Sequence, residues 1–141
     1  MQFIESENEV NVFQRKMIKR IFSIKWEDKI TNTELYRRYK LKPWSQTIKG
    51  RRLRWYGHLL RLPEETPARK ALAEAKRRVK KPRGGQKPTW LRIIKNDMMM
   101  AIPTEGKSAK EEQILVLAQN RKEWRDMVHC AMLEPSDGKR N

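Results

Sequence analysis

The chain has 141 residues, with 33 Lys and Arg against 17 Asp and Glu, a formal charge of +16 and a pI near 10.3. That length suits one domain or two small helical modules with a linker, and the charge calls for a polyanionic partner, nucleic acid first and an anionic membrane surface second. Cys130 as the single cysteine excludes an internal disulfide and a cysteine-based zinc site, and the short apolar runs and acidic N-terminus exclude a membrane span and a signal peptide, so an intracellular protein is expected.

Residues 1–8 are acidic and unpatterned and are expected to be disordered. From Glu9, the apolar residues Val10, Phe13, Met17, Ile21 and Ile24 recur at helical spacing, with Arg15, Lys16, Lys19 and Arg20 outside. Trp26 is expected to pack back onto this helix. Thr31-Asn-Thr-Glu34 has the capping-box pattern, in which a hydroxyl and a carboxylate satisfy each other's backbone amides. It opens a short helix to about Tyr39, ended by Pro43. Trp44 and Ser45 read as the N′ and N-cap residues of a central helix to Leu62. Residues 9–62 then form a three-helix basic module, which can be drawn as a helix-turn-helix.

Thr66 as N-cap and Pro67 at the first helical position begin an Ala-rich helix with Ala68, Ala71, Leu72 and Ala75 on one side. Val79 to Pro88 is a basic Gly/Pro linker, so 63–88 form a second segment. Trp90, Ile93, Ile94, Asp97, Met98 and Ala101 then resume helical spacing. After a break at 103–106, a second capping box, Ser108 to Glu111, opens a helix to about Leu133, with Ile114, Leu117, Ala118, Arg121, Trp124, Met127 and Val128 along one side. Residues 89–133 read as a helical hairpin and 134–141 as a disordered tail. The fold class is all-α: a small helical bundle, a basic linker and a helical hairpin.

The central helix carries most of the character. No acid occurs from Leu35 to Pro63. On a wheel at about 100° per residue, Ile48, Leu53, Trp55, Tyr56, Leu59, Leu60 and Leu62 cover roughly half the circumference. Arg51, Arg54, His58 and Arg61 share the other side. An ordinary solvated face mixes both signs, so Arg51, Arg54 and Arg61 are taken as contacts to nucleic-acid phosphates, and His58 as a polar or stacking contact beside them. Arg52 falls within the apolar arc and is expected to snorkel or to pair with an acid such as Glu34. Gly57 is expected to let the first helix approach closely, and Trp55, Leu59, Trp90 and Trp124 to lie in the core. A second acid-free window, Ala75–Asn96, contributes Lys76, Arg77, Arg78, Lys80, Lys81, Arg83 and Lys87. It suits a strand lying along a phosphate backbone, a nuclear import signal, or a solvated charged linker. His58 has no second ligand nearby, Glu64-Glu65 reads as a pair of loop acids, and no serine or cysteine has a base partner. No metal, cofactor or small-molecule substrate is implied.

Trp26 with Asp-Lys-Ile-Thr-Asn-Thr-Glu-Leu35, then Arg51-Arg-Leu-Arg-Trp-Tyr-Gly-His-Leu-Leu-Arg-Leu-Pro63, resembles the segment after the polymerase core in non-LTR (LINE-type) retrotransposon reverse transcriptases. Pro67-Ala-Arg-Lys-Ala-Leu72, the Pro82–Trp90 loop and Leu117-Ala-Gln-Asn-Arg-Lys-Glu-Trp-Arg125 extend the resemblance over about residues 10–128, with Arg54-Trp-Tyr-Gly-His58 its most specific piece. It implies a remnant or C-terminal accessory module that holds template RNA or target DNA, and with the import-type basic window an intracellular, nuclear location is expected. No Asp-Asp pair for two Mg²⁺ ions is present, and no counterpart of the fingers, palm or endonuclease, so the chain itself is expected not to be an enzyme. Two alternatives stand beside this: a structural segment that docks on the missing polymerase core, and an independent helix-turn-helix-like DNA-binding protein.

Overall fold

Helical spacing dominates the sequence, and a computed structural model describes residues 2–77, 89–99 and 109–133 as helices and the short turns between them. The order is α1 (Gln2–Ile21), a single 3-10 turn (Trp26–Asp28), α2 (Asn32–Arg38), α3 (Trp44–Arg61), α4 (Pro67–Arg77), α5 (Trp90–Met99), α6 (Ala109–Gln119) and α7 (Arg121–Leu133). Among the described residues there is no strand, and the all-α class holds. The linker, the break at 103–106, Ser108 and the tail lie outside the described residues, as do Arg78, Lys80, Lys81, Arg83 and Lys87.

Two compact units result, Met1–Ile48 and Lys49–Asn141, so the three-helix module expected at 9–62 is divided within its last helix. The reason is where α3 sends its side chains. From Leu53 onward its buried residues join a core with those of α4 to α7.

In the first unit, α1 begins at Gln2, seven residues earlier than its apolar period suggests. From Glu7 onward its buried positions are Asn11, Gln14 and Ile18, not the expected stripe, and Phe13, Met17 and Ile21 are exposed. The amides explain the rotation. Ser45 N–H donates to Asn11 Oδ1 at 3.0 Å and Trp44 N–H to Gln14 Oε1 at 2.8 Å. Asn11 Nδ2 in turn donates to Ser45 Oγ at 2.8 Å, and Gln14 Nε2 to the Lys42 carbonyl at 2.9 Å. Helix N-termini carry orphan N–H groups, and here side chains from another helix cap them instead of a local N-cap. Ser45, expected as that cap, is itself buried inside the first turn of α3.

Both short connections use one stop signal. Ile24 N–H reaches the Lys19 carbonyl and Ser23 N–H the Arg20 carbonyl, and after α2 Leu41 N–H reaches Tyr36 and Lys40 N–H reaches Arg37. These are Schellman closures, with Ser23 (φ 51°) and Lys40 (φ 51°) in the left-handed position that glycine usually takes. Thr31 Oγ1 accepts from Glu34 N–H, but the Glu34 carboxylate turns to Arg37, so the first capping box is half formed. Phe22 stacks on Tyr39 at 3.8 Å between ring centroids. Trp26, expected to pack on α1, is 83% exposed, because the 3-10 turn directs it to solvent.

In the second unit, Leu53, Tyr56, Leu59 and Leu60 of α3 meet Leu72, Ile94, Met98, Ala118, Trp124, Met127, Val128 and Ala131. Thr66 and Pro67 open α4 as expected, with Lys70 N–H on the Thr66 carbonyl, and Thr89 plays the same part for α5. The expected hairpin is three helices, because the helix from 108 to 133 breaks at Asn120. Asn120 Oδ1 accepts from the amides of Lys122 and Glu123, and its Nδ2 donates to Glu123 Oε1 at 2.7 Å. Asn-x-x-Glu is a capping signal inside a continuous helical period.

Gly57 sits beneath the Trp124 indole, not beneath α1. A Cβ at Gly57 would overlap the ring, and Trp124 Nε1–H donates to the Leu53 carbonyl at 3.0 Å. Gly50 is covered similarly by Met132. In a free helix, Gly→Ala gains about 1 kcal/mol. At Gly57 the overlap with Trp124 outweighs this, and Gly57→Ala should destabilise the protein by about 1–3 kcal/mol in urea unfolding followed by near-UV circular dichroism. A stabilised variant would rule out this packing.

Candidate nucleic-acid interface

The burial of α3 in the second unit decides which of its cations face water. Leu53, Tyr56, Gly57, Leu59 and Leu60 are buried, and the opposite arc carries Arg54, His58, Arg51 and Trp55, spanning about 100° of the wheel. Along the axis these residues occupy roughly 10 Å. Trp55 was expected in the core with Leu59, yet it is 52% exposed and packs against His58 at 5.3 Å between ring centroids. The apolar arc is narrower than the pattern of residue types suggests, since Trp124 fills the space over Gly57 and Tyr56 takes the central aromatic position.

Arg61 departs from the other three. Its Nη1 donates to the Ala118 carbonyl at 2.9 Å, near the end of α6 where helix carbonyls lack internal partners. Burial, and then the neighbouring Arg121 guanidinium, hold Arg61 below the usual arginine range. It lines a cleft of about 510 Å³ with Glu64 and Arg69 among its other walls. Arg51, Arg54 and His58 are thus brought together on one exposed face, and Arg61 is tied to α6.

Arg52 does find an acid, but on α5. Its Nη2 and Nε lie 2.9 and 3.1 Å from Asp97 Oδ2, with both side chains nearly buried, at 11% and 12% exposure. Glu34, the partner expected, is ion-paired with Arg37. Asp97 occupies a core-facing position in the α5 period, and an acid at such a position is the trace of a buried cation opposite.

Of the second basic window, Lys76 and Arg77 are described. Both are exposed in the last turn of α4, where cations favour the helix dipole, and Arg77 is held by Glu74 at 2.6 Å. Trp124 is buried as expected, whereas Trp90 is 37% exposed, its ring edge-on to Tyr56 at 6.1 Å. Between α3, α4 and α5 lies a groove of about 380 Å³ bounded by Trp55, Trp90, Leu72 and the alanines of α4. The sequence pattern assigned both tryptophans to the core and so missed this opening. Its signal was the alanine stripe, which is too small to fill the space it faces.

Among the described residues, no group of three His, Cys, Asp or Glu side chains converges as metal ligands, and no helix is long and apolar enough to cross a membrane. Cys130 is exposed. Comparison with protein-family models, curated proteins and solved structures finds no match for this chain.

Two stability tests follow from these pairs. Asp97→Leu should cost about 3 kcal/mol, because it leaves Arg52 buried without its carboxylate. The double change Arg52→Met/Asp97→Leu should recover most of that loss, as measured by denaturant midpoints. Burial, then the Glu111 carboxylate, raise the Tyr56 hydroxyl above its ordinary 10.0, against a smaller opposing effect of Arg69. A raised folded value means that its contribution is complete below the unfolded pKa and is lost as pH climbs through the folded one. Thermal melts above about pH 10 should therefore fall more steeply for the parent than for Tyr56→Phe.

Proposed function

We propose that this chain is a non-catalytic nucleic-acid-binding module, of the kind that follows the polymerase core in non-LTR retrotransposon reverse transcriptases, and that it holds template RNA or target DNA by phosphate contacts. The observation that carries the reading is the exposed α3 arc, where Arg51, Arg54 and His58 stand together within a window that contains no acid. Arginines on such a face neutralise phosphates and release counterions, giving sequence-tolerant affinity that falls steeply with salt. The basic segment Lys76–Lys87 adds charge to the same function and supplies a nuclear import signal. Catalysis belongs to other parts of the parent enzyme.

A second reading is favoured by one feature of the first unit. Phe13, Met17, Ile21 and Phe22 lie exposed on and just beyond α1. Apolar surface of that kind suits a segment that docks on a protein, here the polymerase core. The helix-turn-helix alternative has less support, since the amides that open α3 are occupied by Asn11 and Gln14.

Binding of the purified chain to RNA and to duplex DNA across salt concentrations tests the main reading. Replacing Arg51 and Arg54 by glutamine should flatten the log–log salt slope by about 1.4–1.8 units, the release expected from two phosphate contacts. Arg61→Gln should change the slope little and lower stability instead, because its guanidinium is committed to the Ala118 carbonyl. An unchanged slope in the double variant would remove the α3 face from the interface.

A further inference from the structure

We propose that the groove between α3, α4 and α5 seats one unpaired nucleobase between Trp55 and Trp90, while Arg51 and Arg54 hold the phosphates of the same single strand. This rests on the nucleic-acid-binding reading and adds the form of the nucleic acid. The groove is open to solvent and has a volume of about 380 Å³, within the range of small-ligand sites. Ala68, Ala71 and Ala75 face it from α4 at helical spacing, over the buried Leu72. Side chains that end at Cβ leave a slot there where larger residues would close it.

Both indoles have much of their surface free, and both are steadied from behind. Trp90 lies edge-on to Tyr56, which is itself buried and in contact with Trp124 at 6.2 Å between centroids. Trp55 rests against His58. Aromatic side chains held in place offer π faces on which any base can stack, and this recognition tolerates sequence. The charge around the groove selects among flat apolar groups. Arg51, Arg54 and His58 share the exposed arc with Trp55, and Lys76 follows Ala75 at the end of α4. An anionic strand with an unstacked base meets both conditions, whereas a neutral apolar side chain meets only the first. In a duplex the base is held in its stack, and entering the groove would require unpairing it.

Fluorescence anisotropy of the full chain tests this with three labelled probes: an oligothymidylate, an abasic phosphodeoxyribose strand of the same length, and a duplex of the same length. The thymidylate should bind about ten-fold more tightly than the abasic strand, the worth of one base–aromatic stack. Trp90→Leu should weaken thymidylate binding about ten-fold and leave the abasic strand unaffected. Ala71→Phe, which fills the groove but keeps both indoles, should do the same, with circular dichroism melts reporting that each variant is folded. If either variant unfolds, the comparison of thymidylate with abasic strand on the parent chain decides alone. Equal affinity for all three probes, or a folded Ala71→Phe that binds thymidylate normally, overturns base seating and leaves the phosphate reading intact. Absence of binding to every probe overturns both. Self-association of the parent chain that Ala71→Phe abolishes would identify a protein occupant and likewise overturn the proposal.

Discussion

The second unit depends on one contact, the Trp124 indole lying over Gly57 while its N–H meets the Leu53 carbonyl. A tryptophan brings more apolar area than any other side chain, but it can be buried only if its N–H is satisfied. A helix seldom offers a carbonyl to an outside donor at close range, and the missing side chain at position 57 allows that approach. With Trp124 seated there, α7 is fixed against α3, and Tyr56, Leu60, Met127 and Val128 fill in around the ring. Because Gly57 and its neighbours face inward, Arg51, Arg54 and His58 must face outward. The basic face is therefore the complement of a packing decision.

The first unit is organised differently. Among the described residues its buried aliphatic side chains are Ile18 and Leu35, and its definition comes from amide side chains. Asn11 holds the first turn of α3 at Ser45 by two hydrogen bonds, and Gln14 bridges the Trp44 amide and the Lys42 carbonyl of the preceding turn. Among the described residues no buried side-chain polar atom lacks a partner, as directional caps require. The same rotation of α1 that buries these amides leaves Phe13 and Ile21 in solvent. The exposed apolar face of α1 is therefore a consequence of polar capping and not of a gap in the sequence pattern.

Sequence reading recovered the helices where local chemistry decides them. Thr66-Pro67 opens α4, Thr31 caps α2, and the apolar period of α7 predicts the burial of Trp124, Met127 and Val128. It failed where two readings of one pattern compete. By residue type the stripe Val10, Phe13, Met17 outweighs Asn11, Gln14, Ile18, because amides count as polar, although an amide that caps another helix is worth burying. Asn120 lies inside a continuous helical period, where a cap carries no apolar signal. Trp55 and Trp90 were assigned inward by residue type, and nothing local says that the space beside them is left empty.

What the sequence by itself determined is the all-α class, the sign and location of the charge, and the need for a glycine at 57 under some close neighbour. Those are properties of periodicity, composition and backbone sterics, each readable within a few turns of chain. Tertiary structure alone decided that the neighbour is Trp124, that Arg52 pairs with Asp97 and not Glu34, and that Arg61 is tied to Ala118 while Arg51 and Arg54 remain free-facing. Each of these joins residues tens of positions apart, and a partner at that separation is selected by packing of whole helices, which no local pattern encodes.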